Sequence, residues 1–137
     1  MELSSDVRAF VDEPRFGVLA TINADGSPQQ TVMWYQLRGD TVMMNTKRGR
    51  KKDRNLLRDN RASLCIEDGQ RYVTFDGTIT MVEDQEVAQA DIAALARRYE
   101  SPEDAERMIR DDFGPQQRVT LILNVSRVEA HGFGGEE

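Results

Sequence analysis

Three glycine turns cut the first half of this chain into short β-prone runs, and they limit the fold more than any other feature. They are Ala24-Asp25-Gly26-Ser27-Pro28, Arg38-Gly39-Asp40 and Asp68-Gly69. Glycine beside aspartate supplies positive φ at little steric cost, which is what tight β-connections require. The runs they separate, 16–23 (FGVLATIN), 29–37 (QQTVMWYQL) and 41–46 (TVMMNT), read as three strands of an antiparallel meander. The first is almost continuously apolar, as expected of a strand buried on both faces. Residues 63–67 (SLCIE), 72–82 (YVTFDGTITMV) and 118–128 (RVTLILNVSRV) read as three more strands, with Gly77 as a bulge or corner in the fifth.

Four helices fit between them. Residues 4–12 form a short opening helix with Ser4 or Ser5 as N-cap and Pro14 beyond its end. Residues 49–60 (GRKKDRNLLRDN) carry good helix formers. Residues 85–99 carry Val87, Ala90, Ala94 and Leu95 at helical spacing, an expected apolar stripe. Residues 102–112 begin with Ser101 as N-cap, Pro102 at the first position and two acids, and stop at Gly114-Pro115. Six evenly spaced strands with helices inserted late give a mainly β (α+β) expectation: a small closed or split six-stranded antiparallel β-barrel with short peripheral helices, one domain over 1–137. The glycine-rich tail from His131 is expected to be loose at its end.

Composition narrows the function. A chain of 137 residues suits one domain with a real core. No apolar run approaches the about 20 residues that span a bilayer. The opening MELSSDVRAF lacks the basic and apolar regions of a secretion signal, so a cytoplasmic protein without membrane association is expected. One cysteine and one histidine leave no disulfide framework, no cysteine-rich zinc site and no multi-histidine centre within one chain; no metal is expected. Cys65 reads as a small core residue and His131 as a surface or core histidine, so nucleophilic catalysis is weakly supported. Neither a Gly-x-Gly-x-x-Gly fingerprint nor a phosphate-binding P-loop is present.

Charge placement is more informative. The chain has a formal net charge of -6, yet residues 47–61 hold eight basic residues (Lys47, Arg48, Arg50, Lys51, Lys52, Arg54, Arg58 and Arg61) against Asp53 and Asp59, a formal +6, so the rest carries -12. Like charges repel, and an anionic partner relieves them. The window also joins a strand end to a helix start, where backbone amides favour phosphate, and arginine adds a bidentate fork. By itself the cluster suits either such a cradle or a solvated helix face. An acidic remainder and the lack of interleaved aromatics argue against nucleic acid. The 29–37 run places Gln29, Gln30 and Thr31 before Val32, Met33, Trp34 and Tyr35. That sequence suits the wall of a flat ring, or ordinary barrel packing with Trp34 as core or dimer anchor.

Together these features resemble the pyridoxamine 5'-phosphate oxidase-like split β-barrel superfamily of flavin and deazaflavin oxidoreductases, the FMN-binding split-barrel type. The likeness rests on FGVLAT at 16–21, DGSPQ at 25–29, RKKDRNL at 50–56, RDNRASL at 58–64 and the 72–80 strand with its central Gly77. The segment RKKDRNLLRDNRAS looks most like the branch that uses the deazaflavin coenzyme F420. The resemblance implies a homodimer with cofactor sites at its interface. It implies Arg50 and Lys52 as phosphate ligands supported by Asn55, with Thr46 and Lys47 lining the phosphate end. Gln30, Thr31, Val32 and Met33 would flank the ring, Trp34 or Tyr35 less directly. Lys51 and Arg48 would meet the cofactor tail or nothing, and residues near His131 and Phe133 would reach the partner's site. The implied chemistry is hydride transfer between reduced F420 and an unsaturated small-molecule substrate. FMN, or a non-enzymatic flavin- or haem-binding module, is the alternative. The size of the basic cluster suits the longer, more highly charged deazaflavin anion better than the single phosphate of FMN.

Overall fold

In a computed structural model, which describes residues 1–134, the chain forms seven strands and four α-helices. In chain order these are α1 (Ser5–Asp12), β1 (Gly17–Ile22), β2 (Pro28–Met33), β3 (Gln36–Arg38), β4 (Thr41–Lys47), α2 (Lys51–Arg58), β5 (Arg61–Glu67), β6 (Tyr72–Val82), α3 (Gln85–Tyr99), α4 (Pro102–Arg107) and β7 (Arg118–His131). A π-helical turn, Met108–Phe113, extends α4. Residues 135–137, the end of the expected loose tail, lie outside the described residues. Among the described residues no helix is long and apolar enough to cross a membrane.

The strands form one antiparallel sheet in the order β2-β1-β5-β6-β7-β4-β3. β2 and β3 are therefore opposite edges, yet only Trp34 and Tyr35 separate them in sequence. Three residue steps reach at most about 11 Å, so the sheet curls until its edges nearly meet without pairing. That is a split barrel, as expected, but with seven strands rather than six. The run read as one strand over 29–37 is broken because Tyr35 is drawn out of the ladder. Its backbone N–H donates to the Tyr99 hydroxyl (3.1 Å), and its carbonyl accepts from Arg98 Nε (3.0 Å). Its own hydroxyl, fully buried, donates toward Val11 O (2.9 Å) and Glu13 O (3.1 Å) beyond α1.

Inward residues of the strands, including Leu19, Met44, Leu64, Ile66, Phe75, Leu121 and Leu123, fill the barrel, and Val7, Phe10 and Val11 of α1 plug it. β1 alternates, burying Gly17, Leu19 and Thr21, and is not buried on both faces as its apolar run predicted. The doubly buried strand is β4, where Val42 and Met44 enter the barrel while Met43 packs with Ile92 and Leu95 of α3 on the outside. Of the stripe expected on α3 only Leu95 is buried: Ala88, Asp91, Ile92, Ala93 and Ala96 join it on the inward face, while Val87 and Ala90 are exposed and Ala94 is half-buried. The start signals hold. Ser4 caps α1 by accepting from Val7 N, and Ser101 caps α4 by accepting from Asp104 N with Pro102 in the first turn. Gly77 marks a register shift between β6 and β7, where an added Cβ would lie 1.9 Å from Asn124 O.

Candidate functional site

The barrel meets α3 at an open cleft of about 240 Å³. Val32, Met33 and Trp34, with Phe16 before β1, form one wall, while Ile92 and Leu95 of α3 and Phe113 of the π turn form another. At one end stand Asn45, Thr46 and Lys47 of β4, Arg50 and Lys52 at the start of α2, and Arg118 at the start of β7. The aromatic wall is packed ring against ring. Tyr99 stacks on Trp34 at 5.4 Å and on Phe16 at 5.8 Å, and Phe113 meets Trp34 edge-on at 6.3 Å.

The basic end is shaped by the 47–53 loop. Asp53, buried, accepts from Gly49 N (2.7 Å) and pairs with Arg48 (3.5 Å), which also holds Glu83 (2.9 Å). Gly49 has φ +94°, a left-handed conformation that favours glycine there. This fold divides the basic window. Arg48 is neutralised, Arg54 donates to Gly49 O, Arg58 to Ile22 O and Arg61 to Asp59. Lys52, only 7% exposed, makes no hydrogen bond or ion pair among the described residues, and neither does the side chain of Arg50 or Lys47. Arg118, 6% exposed, pairs with no carboxylate. Burial, and then the neighbouring Arg50 and Arg118, push the Lys52 ammonium below its ordinary pKa. Burial, with Arg50 nearby, holds the Arg118 guanidinium down to about 10. Thr46 Oγ1 is buried beside them with no hydrogen-bond partner among the described residues. An end built of uncompensated cations around an orphaned hydroxyl fits an anionic group.

Of the residues expected from sequence, Val32, Met33, Thr46, Lys47, Arg50 and Lys52 line this cleft together. Gln30 and Thr31 lie farther along β2, opposite Ala20 and Leu19, and are not in the lining. Lys51 projects to a separate surface hollow with Asp25, Arg54 and Arg58. Asn55 is buried and bolts α2 to β1, its Nδ2 donating to Thr21 Oγ1 (3.1 Å) and Asn23 Oδ1 (3.0 Å). His131 stacks on Tyr72 and Phe133 meets Phe10 edge-on, neither in the cleft. Cys65 is half-buried in β5 rather than part of the core. Sequence reasoning missed Phe16, Asn45, Arg118, Phe113, Ile92 and Leu95 as lining residues. Arg118 becomes visible only through register, because β4 and β7 place it directly opposite Lys47. Like charges facing across a ladder are unfavourable unless something separates them.

The comparisons agree with this architecture. The family model for pyridoxamine 5'-phosphate oxidase matches residues 3–132. An F420H(2)-dependent biliverdin reductase of Mycobacterium tuberculosis is 28% identical over 128 residues, 92% of this chain and 86% of that protein. A solved conserved hypothetical protein of Mycobacterium tuberculosis superposes with TM-score 0.79 at 29% identity, covering 96% of this chain and 85% of its own. HutZ, a haem storage protein of Vibrio cholerae, shares the fold alone, with TM-score 0.75 and 22% identity over the whole of both chains. On the family match and the split barrel together, the chain belongs to the pyridoxamine 5'-phosphate oxidase family.

Proposed function

We propose that the protein is an F420-dependent oxidoreductase that passes a hydride between the reduced deazaflavin and an unsaturated small-molecule substrate. The observation that carries this reading is the acid-free cationic end of the cleft: Lys52, Arg50 and Arg118 grouped around the orphaned Thr46 hydroxyl. An 86%-covered relative that uses the same reduced coenzyme supports the choice of F420.

The hydride chemistry belongs to the deazaflavin ring when it is bound. The residues of this chain position it. Lys52 and Arg50 hold the anionic end by charge-assisted hydrogen bonds, and Thr46 Oγ1 supplies a further donor. Val32, Met33 and Trp34 present an apolar wall to a ring face, and Ile92, Leu95 and Phe113 exclude water opposite. Among the described residues the lining carries no carboxylate, imidazole or thiol.

A homodimer with interfacial sites is part of the proposal. Phe16 and Val32 are 61% and 65% exposed at the cleft mouth, and a second copy covering them would complete the site. The test of function is a titration of the purified protein with F420, FMN and haem, followed by fluorescence and absorbance. F420 binding is expected. Tight FMN binding without F420 binding would overturn the choice of cofactor, haem binding alone would favour a storage role, and binding of none would remove the cofactor reading.

A further inference from the structure

Arg118 is a buried cation whose partners are all neutral. Nε donates to Asn45 Oδ1 (3.0 Å), Nη1 donates to Gln116 Oε1 (2.7 Å), and the Phe113 ring lies 4.9 Å from its central carbon. Nη2 donates to nothing among the described residues. Taking a cation out of water is costly, and folded proteins ordinarily recover that cost with a carboxylate. Here the fold holds the nearest acid in the network away. Asp91 Oδ2 accepts from Thr120 Oγ1 (2.7 Å), and its Oδ1 pairs with Arg38 (2.8 Å). Asn45 stands between, with Nδ2 donating to Ala88 O (2.9 Å) and more weakly to Thr120 Oγ1 (3.4 Å). A carbonyl can only accept, so Ala88 O fixes the amide with its own oxygen toward Arg118. The backbone that carries Gln116 is fixed in turn, because Gln89 Nε2 donates to Gln116 O (2.8 Å) and Phe113 O (2.9 Å).

We propose that Arg118 is a ligand for an oxyanion, phosphate or carboxylate, of the molecule held in the cleft, and that Asn45 and Gln116 are its positioning residues. Their neutral oxygens orient the guanidinium without discharging it, so its free edge and its charge are kept for the ligand. The placement agrees: Arg118 lines the same end as Lys52, Arg50 and the orphaned Thr46 hydroxyl. This deepens the cofactor reading and rests on the same cleft, but its test does not depend on which cofactor binds.

The experiment compares wild type, Asn45→Asp and Arg118→Met by thermal unfolding with inorganic phosphate or acetate added, and by F420 titration. Asn45→Asp keeps the shape of the side chain but sets a carboxylate beside Nε. The expected results are anion stabilisation of wild type that both variants lose, and F420 binding about ten-fold weaker or more in each. Ligand-free Asn45→Asp gains a charge partner for Arg118 but sets an acceptor oxygen against Ala88 O, so its own unfolding only confirms that it folds, and the anion response is the readout that a purely structural amide would not move. A larger response to phosphate than to acetate assigns the site to a phosphoryl group, and the reverse to a carboxylate. Folded variants that respond to anions and bind F420 as wild type does would overturn the role of Arg118 while leaving the cofactor reading intact. A wild type that binds neither F420 nor FMN, but whose phosphate response is lost in both variants, would sink the cofactor reading and uphold this one. A wild type indifferent to phosphate, acetate and F420 would overturn both.

Discussion

Lys52 sits in the first turn of α2 with little of its surface exposed, and Arg118 reaches the same end of the cleft from β7. Both are held below their ordinary pKa, chiefly by burial, and Arg118, at about 10, remains cationic at neutral pH. An anion stabilises the charged forms and pulls these pKa values back up. Affinity for an anion is then complete below the free-state values and falls as pH climbs through them. Phosphate binding, measured by calorimetry above about pH 8 where its own charge is nearly constant, is therefore expected to hold and then weaken towards pH 10 and beyond. A flat profile across that range would mean that neither cation touches the anion. The same two residues show what a sequence can carry. Lys52 was legible, because it lies in a dense basic run. Arg118 was not, because Asn45, the β4 amide that orients it, is 73 positions away.

Among the elements, the turns were the readable part. Gly26, Gly39 and Gly69 all adopt positive φ, at 88°, 57° and 92°, where the expected turns lie. What the chain hid are features made by distant neighbours. The break at Trp34-Tyr35 depends on Tyr99, 64 residues later, and the buried face of α3 depends on Met43 and Ile122 beneath it. Even the basic run is sorted only by the fold, which gives Arg48, Arg54, Arg58 and Arg61 their own partners and turns Lys51 away. The bulge at Gly77 lies between these cases, marked by the glycine but explained by β7. A methyl group there meets Asn124 O at 1.9 Å, so Gly77→Ala has to displace a ladder carbonyl. The expected cost is about 3 kcal/mol in urea unfolding. A loss below about 0.5 kcal/mol would show that the strand relaxes freely.

At the level of the whole molecule, the sheet's two edges close on Trp34-Tyr35, and the cleft opens beside that seam, with Phe16 and Val32 exposed at its mouth. A monomer would leave this apolar rim in water. Light scattering is expected to give twice the 15.6 kDa chain mass, and Val32→Glu to shift the mass towards the monomer. A wild-type mass of one chain would contradict an interfacial site. The central claim is that the acid-free cationic end of the cleft holds the anionic end of a deazaflavin. Equilibrium titration of wild type and Lys52→Ala with F420 tests it most directly. The account predicts saturable binding to wild type, weakened in Lys52→Ala by about 1.5–3 kcal/mol, or one to two orders of magnitude. Equal affinity in the two folded proteins would contradict it.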